Sequence, residues 1–132
     1  MTPAFWCIVI AIFMNYLLAG LGGWLTTQQT GRLDIRYPRL QAQSLTGMAA
    51  RVNAAQANSW EILTVFACTV FIAHLAGVPA SQSALPAYLF IASRILYCAC
   101  YTFNLIPWRT VVFVVGIFAC LWLIKMAASY SG

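Results

Sequence analysis

Apolar residues fall into four long runs, and the polar residues collect between those runs or enter them at a few isolated positions. Residues 3 to 25 carry no charge, which is long enough for the ~20 residues that a ~30 Å hydrocarbon core requires of a helix. A second apolar stretch, Ile62 to Gly77, continues a more polar helical segment upstream and closes at Gly77-Val78-Pro79, a strong breaker. The third covers Ala84 to Phe103, with Pro86 suited to a first turn, and the fourth starts at Pro107, again a proline at a first turn. The expected spans are therefore 4–25, 47–77, 84–104 and 107–128. Backbone amides find no water in lipid, so only helices or a closed barrel can cross, and runs this long and continuous exclude barrel strands. The expectation is an all-α, integral membrane four-helix bundle forming one domain over residues 1–132.

Composition sharpens that picture: 63% of the residues are hydrophobic and only 7% are charged, more apolar surface than a soluble domain of 132 residues could hide. The start, Met1 to Trp6, has no basic n-region, so the first run reads as a retained span and not a cleaved signal peptide. Arg32, Arg36 and Arg39 lie in the first loop and Arg109 at the third-to-fourth junction, while the second loop has no charge. By the positive-inside rule the first and third loops face the cytoplasm and both termini lie outside, as in a bacterial inner-membrane protein. Lys125, near the outer end of the fourth run, can snorkel to the headgroups, and Trp6, Trp24, Trp108 and Tyr130 suit an interfacial belt. The net charge of +5 follows from this asymmetry and fits anionic membrane lipid; no base-reading motif points to nucleic acid.

Against this background the polar residues inside the runs stand out, because a charge in a span costs roughly 2.5–3.5 kcal/mol on insertion scales and so marks function or a pair. Arg51 and Asn58 are seven apart and nearly superpose on a helix, with Glu61 three residues on, so the three share one stripe. Arg94, Tyr97 and Tyr101 repeat that kind of spacing on the third run, and Arg109 opens the fourth beside them. Three helices thus aim polar groups at one cytoplasmic-side region. A carboxylate, an amide, two phenols and several guanidiniums suit a small zwitterionic or anionic ligand. The same spacing also fits a purely structural arrangement, in which Arg94 pairs with Glu61 and the tyrosines are bundle core.

The residues around these positions resemble a known family, the membrane-associated proteins in eicosanoid and glutathione metabolism (MAPEG). Ala55-Gln56-Ala57-Asn58-Ser59-Trp60-Glu61 is similar to its second-helix signature, and Arg94-Ile95-Leu96-Tyr97-Cys98-Ala99-Cys100-Tyr101 to its third-helix Arg-x-x-Tyr/His-x-x-x-Tyr pattern. Pro107-Trp108-Arg109-Thr110 resembles the start of its fourth helix, and Tyr37-Pro38-Arg39 the Asn-Pro-Arg turn of many bacterial members. The resemblance implies a homotrimer with glutathione as cosubstrate, bound between subunits near the cytoplasmic face and open to lipid on one side. Carried over position by position, it implies a pocket of Asn58, Glu61, Arg94, Tyr97, Tyr101 and Arg109, with Arg109 as the catalytic residue beside the glutathione sulfur and Thr110 as a secondary donor. Gln56 lies roughly 160° around the helix from Asn58 by the 3.6-residue period, so it is placed to serve a neighbouring subunit's site. One of Arg32, Arg36 and Arg39 would join from the first loop, and the sequence does not choose among them. The implied activity is that of a membrane glutathione transferase or peroxidase acting in detoxification, with a lipophilic electrophile or hydroperoxide arriving from the bilayer.

Two positions depart from the family pattern. Ala54 stands where many eukaryotic members have Arg, leaving Arg51 one turn earlier to substitute or to sit in the headgroups, and Ser59 stands where the transferases have Asp. A non-catalytic lipid- or glutathione-binding protein of the same fold is the alternative. A small multidrug transporter fits less well, because Arg94 and Arg109 would repel cationic cargo. The five cysteines, Cys7, Cys68, Cys98, Cys100 and Cys120, form no Cys-x-x-Cys and read as small apolar residues. His74 has no second ligand at metal spacing, so no metal site is expected. Asn15 reads as an interhelical hydrogen-bonding group, and Gly20, Gly22 and Gly23 as a smooth face for helix or subunit contact.

Overall fold

The computed structural model describes residues 1–130 and consists of five helices: α1 (Pro3–Thr30), α2 (Pro38–Gln43), α3 (Gly47–Leu75), α4 (Ala80–Thr102) and α5 (Ile106–Tyr130). The four long ones have the length and apolar composition to cross a membrane. α3 and α4 form the middle of the bundle, with α1 packed against both and α5 against the same two helices. The loop joining α1 to α3, with α2 inside it, therefore lies at the same end as the α4–α5 turn.

Local chemistry explains where each helix begins and stops. Thr2 caps α1, its hydroxyl accepting from the Phe5 N–H at 3.4 Å, and Pro3 occupies a first-turn position where its missing N–H costs nothing. The helix does not stop near Leu25 but runs to Thr30. Thr26, Thr27 and Thr30 donate back to the carbonyls of Gly22, Gly23 and Thr26, so this polar end carries its hydroxyls without water. Gly31 then ends it with φ of +83°, a left-handed conformation that glycine adopts at little steric cost. The Tyr37-Pro38-Arg39 segment initiates the short helix α2 and is not a simple turn.

The third long helix begins earlier than Ala84. α4 starts at Ala80, with the Pro79 carbonyl accepting from the N–H groups of Gln82 and Ser83, so Pro86 lies inside the helix and not at its first turn. The α4–α5 turn is tight. Leu105 N–H donates to the Cys100 carbonyl at 2.8 Å, and Asn104 sits at φ +59°, the one non-glycine residue with positive φ among those described.

The centre is built from small residues around a few large ones. Phe66 and Phe90 stack face to face with centroids 3.9 Å apart, surrounded by Ala73, Ala87, Ala119 and Leu123. Gly116 lets α5 pack tightly against α4: a Cβ there would stand 2.9 Å from Ser93 Oγ. Gly22 has more room on the α1–α3 side, where a Cβ would make ordinary contact with Asn53 at 3.6 Å and Val52 at 3.7 Å, so it packs within the chain, whereas Gly20 faces open space. Most other large apolar side chains, including Phe13, Leu17, Trp24, Val114 and Phe118, point outward, as lipid-facing residues do.

Candidate functional site

α3, α4 and the start of α5 converge at the end of the bundle that carries the α4–α5 turn. Arg94, on α4, is only 4% exposed. Its Nη2 donates to Asn58 Oδ1 and to Ser59 Oγ, both at 3.0 Å and both on α3. The guanidinium also lies over the Tyr97 ring, 4.1 Å from its centroid, one turn along the same helix. Such a contact is favourable where water is excluded. The structural alternative of an Arg94–Glu61 pair is not what forms, and Ser59 takes up one of the bonds instead.

Tyr97 continues the cluster. Its ring is 5.6 Å from that of Tyr101 and 5.9 Å from that of Phe113. Across the turn, the Arg109 guanidinium stacks on Tyr101 at 4.5 Å. Arg109 sits in the first turn of α5, where its backbone N–H donates to Leu105 at 3.0 Å. The positive end of the α5 dipole is at this same place. Asn58, Tyr97, Arg109, Thr110 and Phe113 line a cleft of about 210 Å³. Arg94 and Tyr101 support it from behind, one through Asn58 and the other through Arg109.

The remaining sequence candidates lie elsewhere. Glu61 is on the exposed face of α3 with no hydrogen bond or ion pair among the described residues. Arg51 turns its Nε to the Thr102 carbonyl at 3.0 Å, closing one of the unpaired carbonyls at the end of α4. Gln56 lines a separate groove of about 340 Å³ together with Asn53, Asp34, Gln41 and residues of α1. Asn58 and Gln56 thus open onto two different faces of the subunit. Asp34 is occupied locally, its carboxylate accepting from the N–H groups of Arg36 and Tyr37.

Phe113 lines the cleft and Ser59 supports it through Arg94, roles not assigned to either from the sequence pattern. Phe113 follows Arg109 by four positions and so shares its face of α5, a signal that was legible. Ser59 lies beside Asn58, and only the crossing of α3 over α4 brings it to Arg94. Asn15 makes the interhelical bond expected of it, donating to the Ser59 carbonyl at 3.4 Å. The His74 ring packs edge to face on Phe5, and the described residues contain no group of three or more His, Cys, Asp or Glu able to hold a metal. All five cysteines are free.

Four membrane-length helices, three of which line a cleft with an amide, a phenol and a guanidinium, define an integral membrane protein with a polar site at one end of its bundle. The MAPEG family model matches residues 3–129, nearly the whole chain, and the chain belongs to this family. The family includes glutathione transferases and peroxidases as well as non-catalytic members. Neither the curated proteins nor the solved structures contain a match.

Proposed function

We propose that the chain is a membrane glutathione-dependent transferase or peroxidase in which the Asn58–Tyr97–Arg109–Thr110 cleft receives glutathione and Arg109 stabilises its thiolate. The observation that carries this reading is the state of Arg109: its guanidinium is held by the Tyr101 face while its side-chain N–H groups donate to no acceptor among the described residues. It is a fixed cation with free donors at the rim of a cleft.

A free thiol has a pKa of about 8.5, so a small fraction is ionised at neutral pH. Each unit of lowering needs about 1.4 kcal/mol of preferential interaction with the anion. A guanidinium in a water-poor site, at the positive end of a helix, can supply this. The thiol proton passes to solvent. The thiolate then attacks an electrophilic carbon to form a C–S bond, with the displaced electron pair leaving on the leaving group or being protonated. With a hydroperoxide, two glutathione molecules become the disulfide while ROOH becomes ROH and water.

The site is completed by a second copy in this reading. Ala54, Ala57, Glu61, Thr64 and Cys68 form an exposed stripe on α3, small or polar throughout, which suits close helix association better than contact with lipid. A homotrimer would cover Glu61, which is costly to leave in hydrocarbon, and would bring the Gln56 groove of one subunit to the Asn58 cleft of the next. The loop arginines support a cytoplasmic location for this end of the bundle under the positive-inside rule, which would leave both termini outside.

Titration of the detergent-solubilised protein with glutathione, following thiolate absorbance in the ultraviolet, tests the proposal. Thiolate should form with the wild type and not with Arg109→Ala. Absence of glutathione binding by the wild type would overturn it.

A further inference from the structure

A smaller space lies in the middle of the bundle, where α1, α3 and α4 meet. About 10 Å³ is open there to the centre of a water-sized sphere, between Asn15, Ser59 and Arg94 on its polar side and apolar groups such as Ala11, Leu63 and Phe90. That volume is on the order of the minimum that holds one water molecule. The polar side is unusual. Asn15 is 2% exposed and Arg94 4%, yet Asn15 Oδ1, Arg94 Nε and Arg94 Nη1 are all buried with no partner among the described residues.

These three atoms are complementary in kind: two donors on the guanidinium and one acceptor on the amide. Asn15 spends its Nδ2 on the Ser59 carbonyl, and Arg94 spends its Nη2 on Asn58 and Ser59, so neither side chain can satisfy its remaining atoms through those bonds. Hydrocarbon offers nothing to either. A monatomic anion would suit the guanidinium but would be repelled by the amide oxygen. A water molecule can accept from the first and donate to the second.

We propose that this cavity binds one water molecule, accepting from Arg94 Nε and donating to Asn15 Oδ1. The guanidinium is then held at two nitrogens, Nη2 by Asn58 and Ser59 and Nε by the water. Asn15, which does not line the cleft, becomes a positioning residue for Arg94, and the relay Asn15–water–Arg94–Asn58 ties α1 to the α3–α4 pair.

Solid-state NMR of the arginine-labelled protein in lipid bilayers, without glutathione, tests this by magnetisation transfer from water to the Arg94 Nε proton. The wild type should show the transfer. Asn15→Leu, which removes the acceptor, and Ala11→Val, which fills the space from the apolar wall and leaves both polar partners in place, should each reduce it to background. No transfer in the wild type would overturn the proposal on its own, whether or not the Asn15 variant folds. Undiminished transfer in Ala11→Val would overturn it as well, because the water would then be reaching Arg94 from elsewhere. The glutathione reading is untouched by any of these results.

Discussion

Arg94 Nη2 meets Asn58 Oδ1 at 3.0 Å across the α3–α4 interface, so the most buried guanidinium of the bundle is held by a neutral amide. Glu61, one turn further along α3, stays on the exposed face. The charge of Arg94 is thus solvated by dipoles and an aromatic face and is not cancelled by a carboxylate. An arrangement of that kind leaves the cation able to attract an anion arriving from outside the chain.

The two partners should respond differently to removal. Asn58→Leu leaves a buried charge short of an acceptor and should cost about 1–3 kcal/mol. Arg94→Met removes the charge together with its demand for partners and should cost less, while weakening glutathione binding more than tenfold. Thermal unfolding in detergent, run beside a glutathione titration, separates the two effects. Equal loss of stability in both variants would contradict the assignment.

Arg109 should act on ionisation more than on affinity. Arg109→Ala should abolish the thiolate absorbance and lower turnover by about tenfold for each unit of thiol pKa given up, with the glutathione Kd changed only a few-fold. Arg109→Lys keeps a cation but loses the planar stack on Tyr101, and should fall between the two. Steady-state kinetics with a lipophilic electrophile reads both.

At Gly116 the tolerance is steric. A methyl group there would stand 2.9 Å from Ser93 Oγ, and that hydroxyl is itself bonded to the Phe90 carbonyl at 2.7 Å, so it cannot move away freely. Gly116→Ala should destabilise by about 1 kcal/mol or more. Adding Ser93→Ala should recover much of the loss, a coupling that a double-mutant cycle of unfolding free energies measures.

The α3 stripe should govern assembly. Ala57→Phe places a bulky ring among Ala54, Glu61 and Thr64, and should shift the protein from trimer to monomer in native mass spectrometry while leaving the helical circular dichroism unchanged. A wild-type protein that is monomeric at all concentrations would refute the trimer.

How much of this was legible in the sequence depends on the range of the interaction involved. The four long helices were, because lipid demands an unbroken apolar run and each run is written contiguously. α2 was not, since six residues are too few for a helical period to show. The reach of α1 to Thr30 was hidden by its polar composition, which hydropathy counts against a span although the threonine hydroxyls bond inside the helix. At the site, periodicity correctly put Gln56 and Asn58 on different faces. It could not say that Arg94 would take Asn58 over Glu61, or that Arg51 would turn to the Thr102 carbonyl, because both choices depend on how two helices cross.

The turn between α4 and α5 has a further consequence. Tyr101 and Arg109 touch across it, and only Phe103, Asn104 and Leu105 separate the two helices. Each residue inserted into or removed from the start of α5 would rotate its side chains by ~100° about the helix axis. The turn therefore works as a spacer of fixed gauge. It sets the angle at which a cation meets whatever the α3–α4 surface holds, so loop length here is a chemical parameter, and natural variation in it should alter reactivity before it alters folding.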